Sequence, residues 1–113
     1  KNLKDYDGLT FKVAEIIQTI LCEKLDIMTE IKFPNDLMID RKKCAGILVE
    51  NRVCSVKSEV RFTIIGVGLN LNQQQFPAEL NDLAISLYNK TGKFVAKDEI
   101  MVALTKEFIH EFC

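Results

Sequence analysis

Apolar residues recur early in the chain at the three- and four-residue spacing of one helix face: Phe11, Ala14, Ile17, Leu21 and Leu25, with Val13 and Ile20 beside them. The spacing predicts an amphipathic helix of about four turns, capped by an oxygen of Thr10 or Asp7. The period then changes. Thr29 to Phe33 alternates polar and apolar, and Pro34, with its fixed φ and missing N–H, should end that strand in a bend. Leu37 to Ile39 reads as a short strand, Asp40 to Lys42 as a polar turn and Cys44 to Glu50 as a buried strand, which together make a hairpin. Val60 to Leu71 is a long β-rich stretch in which Gly66 and Gly68 should break and weaken the strand. Asp82 to Tyr88 predicts a short helix with its exit at Asn89 to Gly92, and Lys97 to Phe112 a longer one with Ile100, Leu104 and Phe108 on one stripe.

A helix, then strands joined as antiparallel hairpins, then helices is the order of an α+β fold, with a mixed, largely antiparallel sheet covered by helices on one face. Strict βαβ alternation is missing, which argues against a doubly wound sheet in spite of the Gly-x-Gly at 66–68. The 113 residues suit one domain, and with 48% apolar residues and only two prolines the chain is an ordinary globular one rather than a disordered one. A net charge of -1 supplies no basic face for nucleic acid, and no run of residues is apolar enough to span a bilayer. Cysteines 22, 44, 54 and 113, with His110, match neither a zinc spacing nor a disulfide framework. They are expected to be reduced thiols that act as small hydrophobes in a cytosolic protein. The first residue is not methionine and the last falls inside a helical pattern, so both ends are expected to be cut.

Three segments carry candidate chemistry. In Lys32-Phe33-Pro34-Asn35-Asp36-Leu37 a carboxylate and an amide flank a proline bend; Asp36 suits Mg²⁺, which favours carboxylates together with substrate phosphates, and Asn35 suits a base edge. The same Asn-Asp pair also reads as a turn bonding its own backbone. In Lys43-Cys44-Ala45-Gly46-Ile47-Leu48 a cation stands at the entrance of a buried strand, three residues before a glycine that would let a ligand lie against the backbone, although a solvated turn accounts for it equally well. In Gly66-Val67-Gly68-Leu69-Asn70 the third glycine of a dinucleotide fingerprint is missing. The pared-down strand suits a flat wall against an aliphatic ligand, with Asn70 as donor and acceptor at its end; close packing of another element is the alternative.

Taken together and in this order, KFPNDL at 32–37, KCAGILVE at 43–50 and GVGLN at 66–70 closely resemble the biotin protein ligase pattern of Lys-Trp-Pro-Asn-Asp-Leu, Lys-x-Ala-Gly-Ile-Leu-x-Glu and Gly-x-Gly-x-Asn. The resemblance runs from about Leu9 to Phe112. Phe33 departs from it, keeping an aromatic body where the family has tryptophan but losing an N–H donor.

The resemblance implies a fold like that of the biotin synthetases and class II aminoacyl-tRNA synthetases. The implied activity is ATP-dependent ligation of biotin to a lysine of a biotin carboxyl carrier protein through biotinyl-5′-AMP. It implies Lys43 as the catalytic cation; Lys43, Gly46, Leu48, Gly66 and Gly68 as the biotin surface; Lys32, Asn35, Asp36 and Asn70 as the adenylate surface; and Mg²⁺ at Asp36. Residues 1–113 would then be the central and C-terminal part of the catalytic domain, without the upstream Gly/Arg-rich loop or the downstream SH3-like domain, and inactive alone. A homodimer stays open. The rivals are a lipoate ligase, which shares the fold and the adenylation chemistry, and a non-catalytic biotin-binding or regulatory module.

Overall fold

Helix α1 spans Leu3–Leu25 in the computed structural model, which describes residues 3–54 and 60–113. It starts well before the expected cap: Thr10 lies inside the helix and is buried, and the Asp7 side chain lies outside the described residues. One exposed glycine, Gly8, costs a helix only about 1 kcal/mol relative to alanine, too little to stop it. The face that packs is Val13, Ala14, Ile17, Ile20 and Leu21, whereas Phe11, expected on it, is 41% exposed.

The strands are β1 (Glu30–Lys32), β2 (Asp36–Ile39), β3 (Lys42–Cys54) and β4 (Val60–Leu69), in the spatial order β1-β2-β3-β4 with every neighbouring pair antiparallel. Among the described residues the expected mixed character reduces to one isolated parallel bridge, Lys43 to Ala84. Strand alternation sends Leu37, Ile39, Ala45, Ile47 and Val49 into the core with the α1 stripe, while Asp36, Met38, Gly46 and Leu48 point to the other side. A tight bend at Phe33, Pro34 and Asn35, whose Phe33–Pro34 peptide is cis, joins β1 to β2. Asp40 and Arg41 join β2 to β3 with φ of 51° and 67°, the left-handed pair of a two-residue hairpin turn whose twist matches the strands.

Two expectations fail here. Strand β4 continues through Gly66 and Gly68 without a break, because its backbone ladder to β3 is complete: Leu48 faces Gly66 and Gly46 faces Gly68. The helix expected at Asp82 to Tyr88 is displaced. Ala78–Leu80 forms a 3-10 turn, residues 81–83 continue as a turn, Ala84 bridges to Lys43 of β3, and α2 occupies Leu87–Thr91. Ser86 sets that start, because its hydroxyl accepts the Asn89 N–H while the Asn89 side chain accepts the Ser86 N–H, closing a capping box; Gly92 ends the helix with φ 74°. Helix α3 (Lys97–Phe112) falls where the pattern predicted it, with Ile100 in the core and Leu104 and Phe108 packed against it.

The cysteines behave less uniformly than expected. Cys44 is fully buried, and burial pushes its thiol up to about 11, so it serves as an apolar filler rather than a nucleophile. Cys22 and Cys113 are exposed thiols, and the Cys54 side chain lies outside the described residues. No helix among the described residues is long and apolar enough to cross a membrane.

The turn at Asp40 and Arg41 gives a stability test. Left-handed backbone strains an arginine and not a glycine, and the gain outweighs glycine's extra chain entropy. Arg41→Gly is expected to stabilise the protein by roughly 0.5–1 kcal/mol in urea unfolding; a destabilised variant would contradict the turn as described.

Candidate functional site

Cross-strand partners share a face of a sheet, and the register places four of the candidate residues in one row. Lys32 of β1 faces Asp36 of β2, Asp36 faces Gly46 of β3, and Gly46 faces Gly68 of β4. With strands about 4.8 Å apart, the row crosses the sheet in about 14 Å, on the side away from the core. The next row along β3 and β4 pairs Leu48 with Gly66. Leu48 is 58% exposed, as expected of a side chain on an open face.

Lys43 joins this face through an irregularity. It stands three residues before Gly46, and on a regular strand an odd separation puts two side chains on opposite faces. The β2–β3 register shifts here: Leu37 faces Ala45 and Met38 faces Lys43, so Cys44 has no counterpart in β2. That extra residue is a β-bulge, and it explains why the consecutive residues Cys44 and Ala45 are both buried. The bulge turns Lys43 onto the glycine face. A Cβ built on Gly46 would lie 3.1 Å from Lys43 Cε and 3.2 Å from Nζ.

The ammonium also sits 3.2 Å from Asp36 Oδ1, and the two side chains are 50% and 25% exposed. So solvated a pair adds little to stability; its content is geometric, fixing a positive charge beside a carboxylate above a glycine. The glycines of β4 leave the wall bare. A Cβ on Gly68 would meet nothing within 4 Å, and one on Gly66 would make only ordinary contact with Leu48 at 3.8 Å. Among the described residues, therefore, no packing demands glycine at either position.

The asparagines lie apart from the row. Asn35 is in the bend that leads into Asp36, and its carbonyl accepts the Ile47 N–H at 2.9 Å. Asn70, one residue beyond β4, is bonded within the chain on all sides. Its N–H donates to the Cys44 carbonyl at 2.8 Å and its own carbonyl accepts the Leu87 N–H at 2.9 Å. Its Nδ2 donates to the carbonyls of Lys43 at 3.4 Å and Ile85 at 3.3 Å, and its Oδ1 accepts from Gln73 Nε2 at 3.0 Å.

Sequence reasoning missed the segment Leu83 to Ile85, which holds the Lys43 backbone: the Lys43 N–H donates to the Leu83 carbonyl at 2.8 Å and the Ile85 N–H to the Lys43 carbonyl at 3.0 Å. The Ser86-x-x-Asn89 spacing was the available signal, since a cap at Ser86 starts the helix there and leaves the preceding residues outside it.

For Mg²⁺ the described residues offer one carboxylate in the row, Asp36, whose Oδ1 already faces an ammonium; no three His, Cys, Asp or Glu side chains gather among them. One carboxylate fits magnesium only in the mode where substrate phosphates hold most of the ion. Neither the cleft of about 490 Å³ between α1 and α3 nor the apolar groove of about 370 Å³ between β4 and α3 contains a candidate residue. Among the described residues the candidate row lies on the face of the sheet away from the core.

No protein-family model matches the chain. It is 42% identical over 87 residues to the bifunctional ligase/repressor BirA of Bacillus subtilis, an alignment covering 75% of this chain and 26% of that protein. It is 48% identical over 69 residues to the protein of the same name from Bacillus spizizenii, covering 59% and 21%. The chain thus spans about a quarter of the length of these curated relatives. Among solved structures, the apo biotin protein ligase of Aquifex aeolicus superposes with a TM-score of 0.80 at 29% identity, over 95% of this chain and 46% of that one. The Aquifex enzyme in complex with biotin and ATP gives 0.78 over 92% and 42%. A P. falciparum chain solved with lipoate, at 19% identity and a TM-score of 0.60, shares the fold alone. By sequence and by its α+β fold, the chain is similar to the biotin protein ligases over part of their length.

Proposed function

We propose that the chain supplies the adenylation face of an ATP-dependent biotin ligase, which joins biotin to ATP and passes the biotinyl group to a lysine of a biotin carboxyl carrier protein. The observation that carries this reading is the Lys43 ammonium held over Gly46 and beside Asp36, on the same face as Gly66 and Gly68. Its support from outside the chain is the similarity to ligases of biotin, one of them solved with biotin and ATP.

A carboxylate is a poor acyl donor, because its leaving group would be oxide. In the first step a biotin carboxylate oxygen bonds to the α-phosphorus of ATP, the bond from that phosphorus to the β-phosphate bridge breaks, and pyrophosphate leaves. Two anions must touch, and a fixed cation between them lowers the barrier because it needs no reorganisation as charge shifts. Lys43 is that cation. In the second step an acceptor amine attacks the activated carbonyl, AMP departs with the bonding electrons, and the new amide nitrogen loses a proton.

The substrates divide the face between them. The biotin tail lies along Gly66 and Gly68, where absent side chains leave room for methylenes against the backbone, with Leu48 and Gly46 of β3 beside it. Lys32, Asn35 and Asp36, with Asn70 at the end of β4, form the adenylate side. Asp36 would be the one carboxylate of this face to hold a magnesium ion, which when bound would offset phosphate charge. ATP as co-substrate and the free thiols of Cys22, Cys44 and Cys113 fit a cytoplasmic setting.

In the full-length protein, Lys43→Ala is expected to lower biotin- and ATP-dependent pyrophosphate release by about two to three orders of magnitude. The ammonium is half exposed, so thermal unfolding should hardly move. Near-normal adenylate synthesis would refute the assignment. Gly68→Ala is expected to separate stability from function: the added methyl meets no neighbour and removes chain entropy, so stability holds or rises by up to about 1 kcal/mol. The same methyl stands where the biotin tail would lie, so calorimetric affinity for biotin should fall at least severalfold. Unchanged affinity would take Gly68 out of the site.

A further inference from the structure

Beyond β4 the chain is tied down residue by residue to the segment 85–95. The Asn70 carbonyl accepts the Leu87 N–H, the Leu71 carbonyl accepts the Tyr88 N–H, Asn72 bonds the Val95 backbone through both ends of its amide, and the Gln74 carbonyl accepts Asn89 Nδ2. The tie at Gln73 is the shortest of these. Its carbonyl accepts the hydroxyl of Ser86, a fully buried residue, at 2.6 Å. A main chain held at Gln73 and at both its neighbours fixes where the Gln73 side chain starts. That side chain turns back toward the strand, and its Nε2 donates to Asn70 Oδ1 at 3.0 Å.

The Asn70 amide is thereby set in one sense. Its Nδ2 has two N–H bonds, and both are used within the chain, on the carbonyls of Lys43 and Ile85. Its Oδ1 has two lone pairs, and among the described residues Gln73 is the one donor to it. Bonded though it is at every polar atom, Asn70 therefore keeps one acceptor site open and no donor. A purine with an amine at C6 can donate to that oxygen, whereas a purine with a carbonyl at C6 sets oxygen against oxygen. The two Nδ2 bonds are long, at 3.4 and 3.3 Å, so they hold the amide weakly, and the shorter bond from Gln73 completes the orientation.

We infer that Gln73 is a positioning residue for nucleotide selection: it holds the Asn70 amide with its oxygen available, so that the adenylate side takes a 6-amino purine and refuses a 6-oxo purine. The inference rests on the adenylate role of Asn70 proposed above. With Gln73 removed, the amide is freer to turn over and present its N–H bonds, which suit a 6-carbonyl.

The test is initial-rate pyrophosphate release by the full-length protein with biotin and Mg²⁺, using ATP or inosine triphosphate, for the wild type, Gln73→Ala and Gln73→Glu. The two nucleotides carry the same triphosphate, so the ratio of their kcat/KM values cancels charge effects at the phosphates and reads the base. The wild type is expected to favour ATP at least about tenfold. Gln73→Ala removes one neutral hydrogen bond, so KM for ATP should rise about three- to tenfold with kcat within about twofold, and the ATP preference should fall at least about threefold. Gln73→Glu, which offers the amide only acceptors, should lower the preference further. Gln73 is exposed, so both variants are expected to unfold thermally with the wild type. A merely structural residue would slow both nucleotides alike. An ATP preference unchanged in both variants therefore overturns the inference and leaves the adenylate side standing. A wild type that uses the two nucleotides equally removes the inference together with the place of Asn70 on that side, and no pyrophosphate release with ATP removes the ligase reading beneath both.

Discussion

Side chains along a β-strand alternate between two faces, and this constraint alone would send Lys43 into the core with Ala45, Ile47 and Val49. One residue without a cross-strand counterpart, Cys44, reverses the parity. Everything argued about the chemistry depends on that reversal. It brings an ammonium to within 3.2 Å of the Asp36 carboxylate, over the backbone at Gly46, instead of burying a charge among aliphatic side chains, where its desolvation would cost several kcal/mol. Cys44 suits the extra position because a neutral thiol, pushed up to about 11 by burial, occupies the core as a small hydrophobe.

The two sides of the sheet then divide the work. The inner side carries the core of α1, β2 and β3, which fixes register: a slip by one residue would exchange the aliphatic side for Asp36, Gly46 and Leu48. Register in turn aligns Lys32, Asp36, Gly46 and Gly68 across all four strands. The outer side is bare at Gly66 and Gly68, Gly46 lies under the Lys43 side chain, and the only charges in the row are those of Lys32 and Asp36, with Lys43 reaching over from the bulge. Stability and chemistry therefore come from opposite faces of the same strands, which is why the glycines can be judged by the space above them rather than by the packing beneath.

Much of this was legible in the sequence. The aliphatic spacing gave α1 and α3, the proline and the polar turn bounded β2, and three short segments in order were enough to suggest the family. Other features were hidden for physical reasons. Composition cannot reveal a bulge: Lys43 to Leu48 reads as one continuous apolar strand behind a cation, and the parity of Lys43 depends on its pairing with β2, a tertiary fact. Gly66 and Gly68 looked like interruptions because propensity counts their entropy and not the ladder to β3 that keeps them extended. The residues from Asp82 to Tyr88 have helical composition, yet the Lys43 backbone engages Leu83 and Ile85 first, and Ser86 begins the helix only after them. The asparagine at 70 was visible as a polar group at a strand end, but its bonds to the bulge could not be seen without the fold.

The central claim is that the bulge at Cys44 presents the Lys43 ammonium to the junction between an acyl carboxylate and a nucleotide phosphate. The most direct measurement is a crystal structure of the full-length protein with a non-hydrolysable biotinyl-adenylate analogue. The account predicts Lys43 Nζ within hydrogen-bond distance of the acyl–phosphate linkage, the alkyl chain lying along Gly66 and Gly68, and the Leu37–Ala45 and Met38–Lys43 register unchanged. An analogue seated elsewhere, or a Lys43 amine directed away from the linkage with the bulge intact, would contradict it.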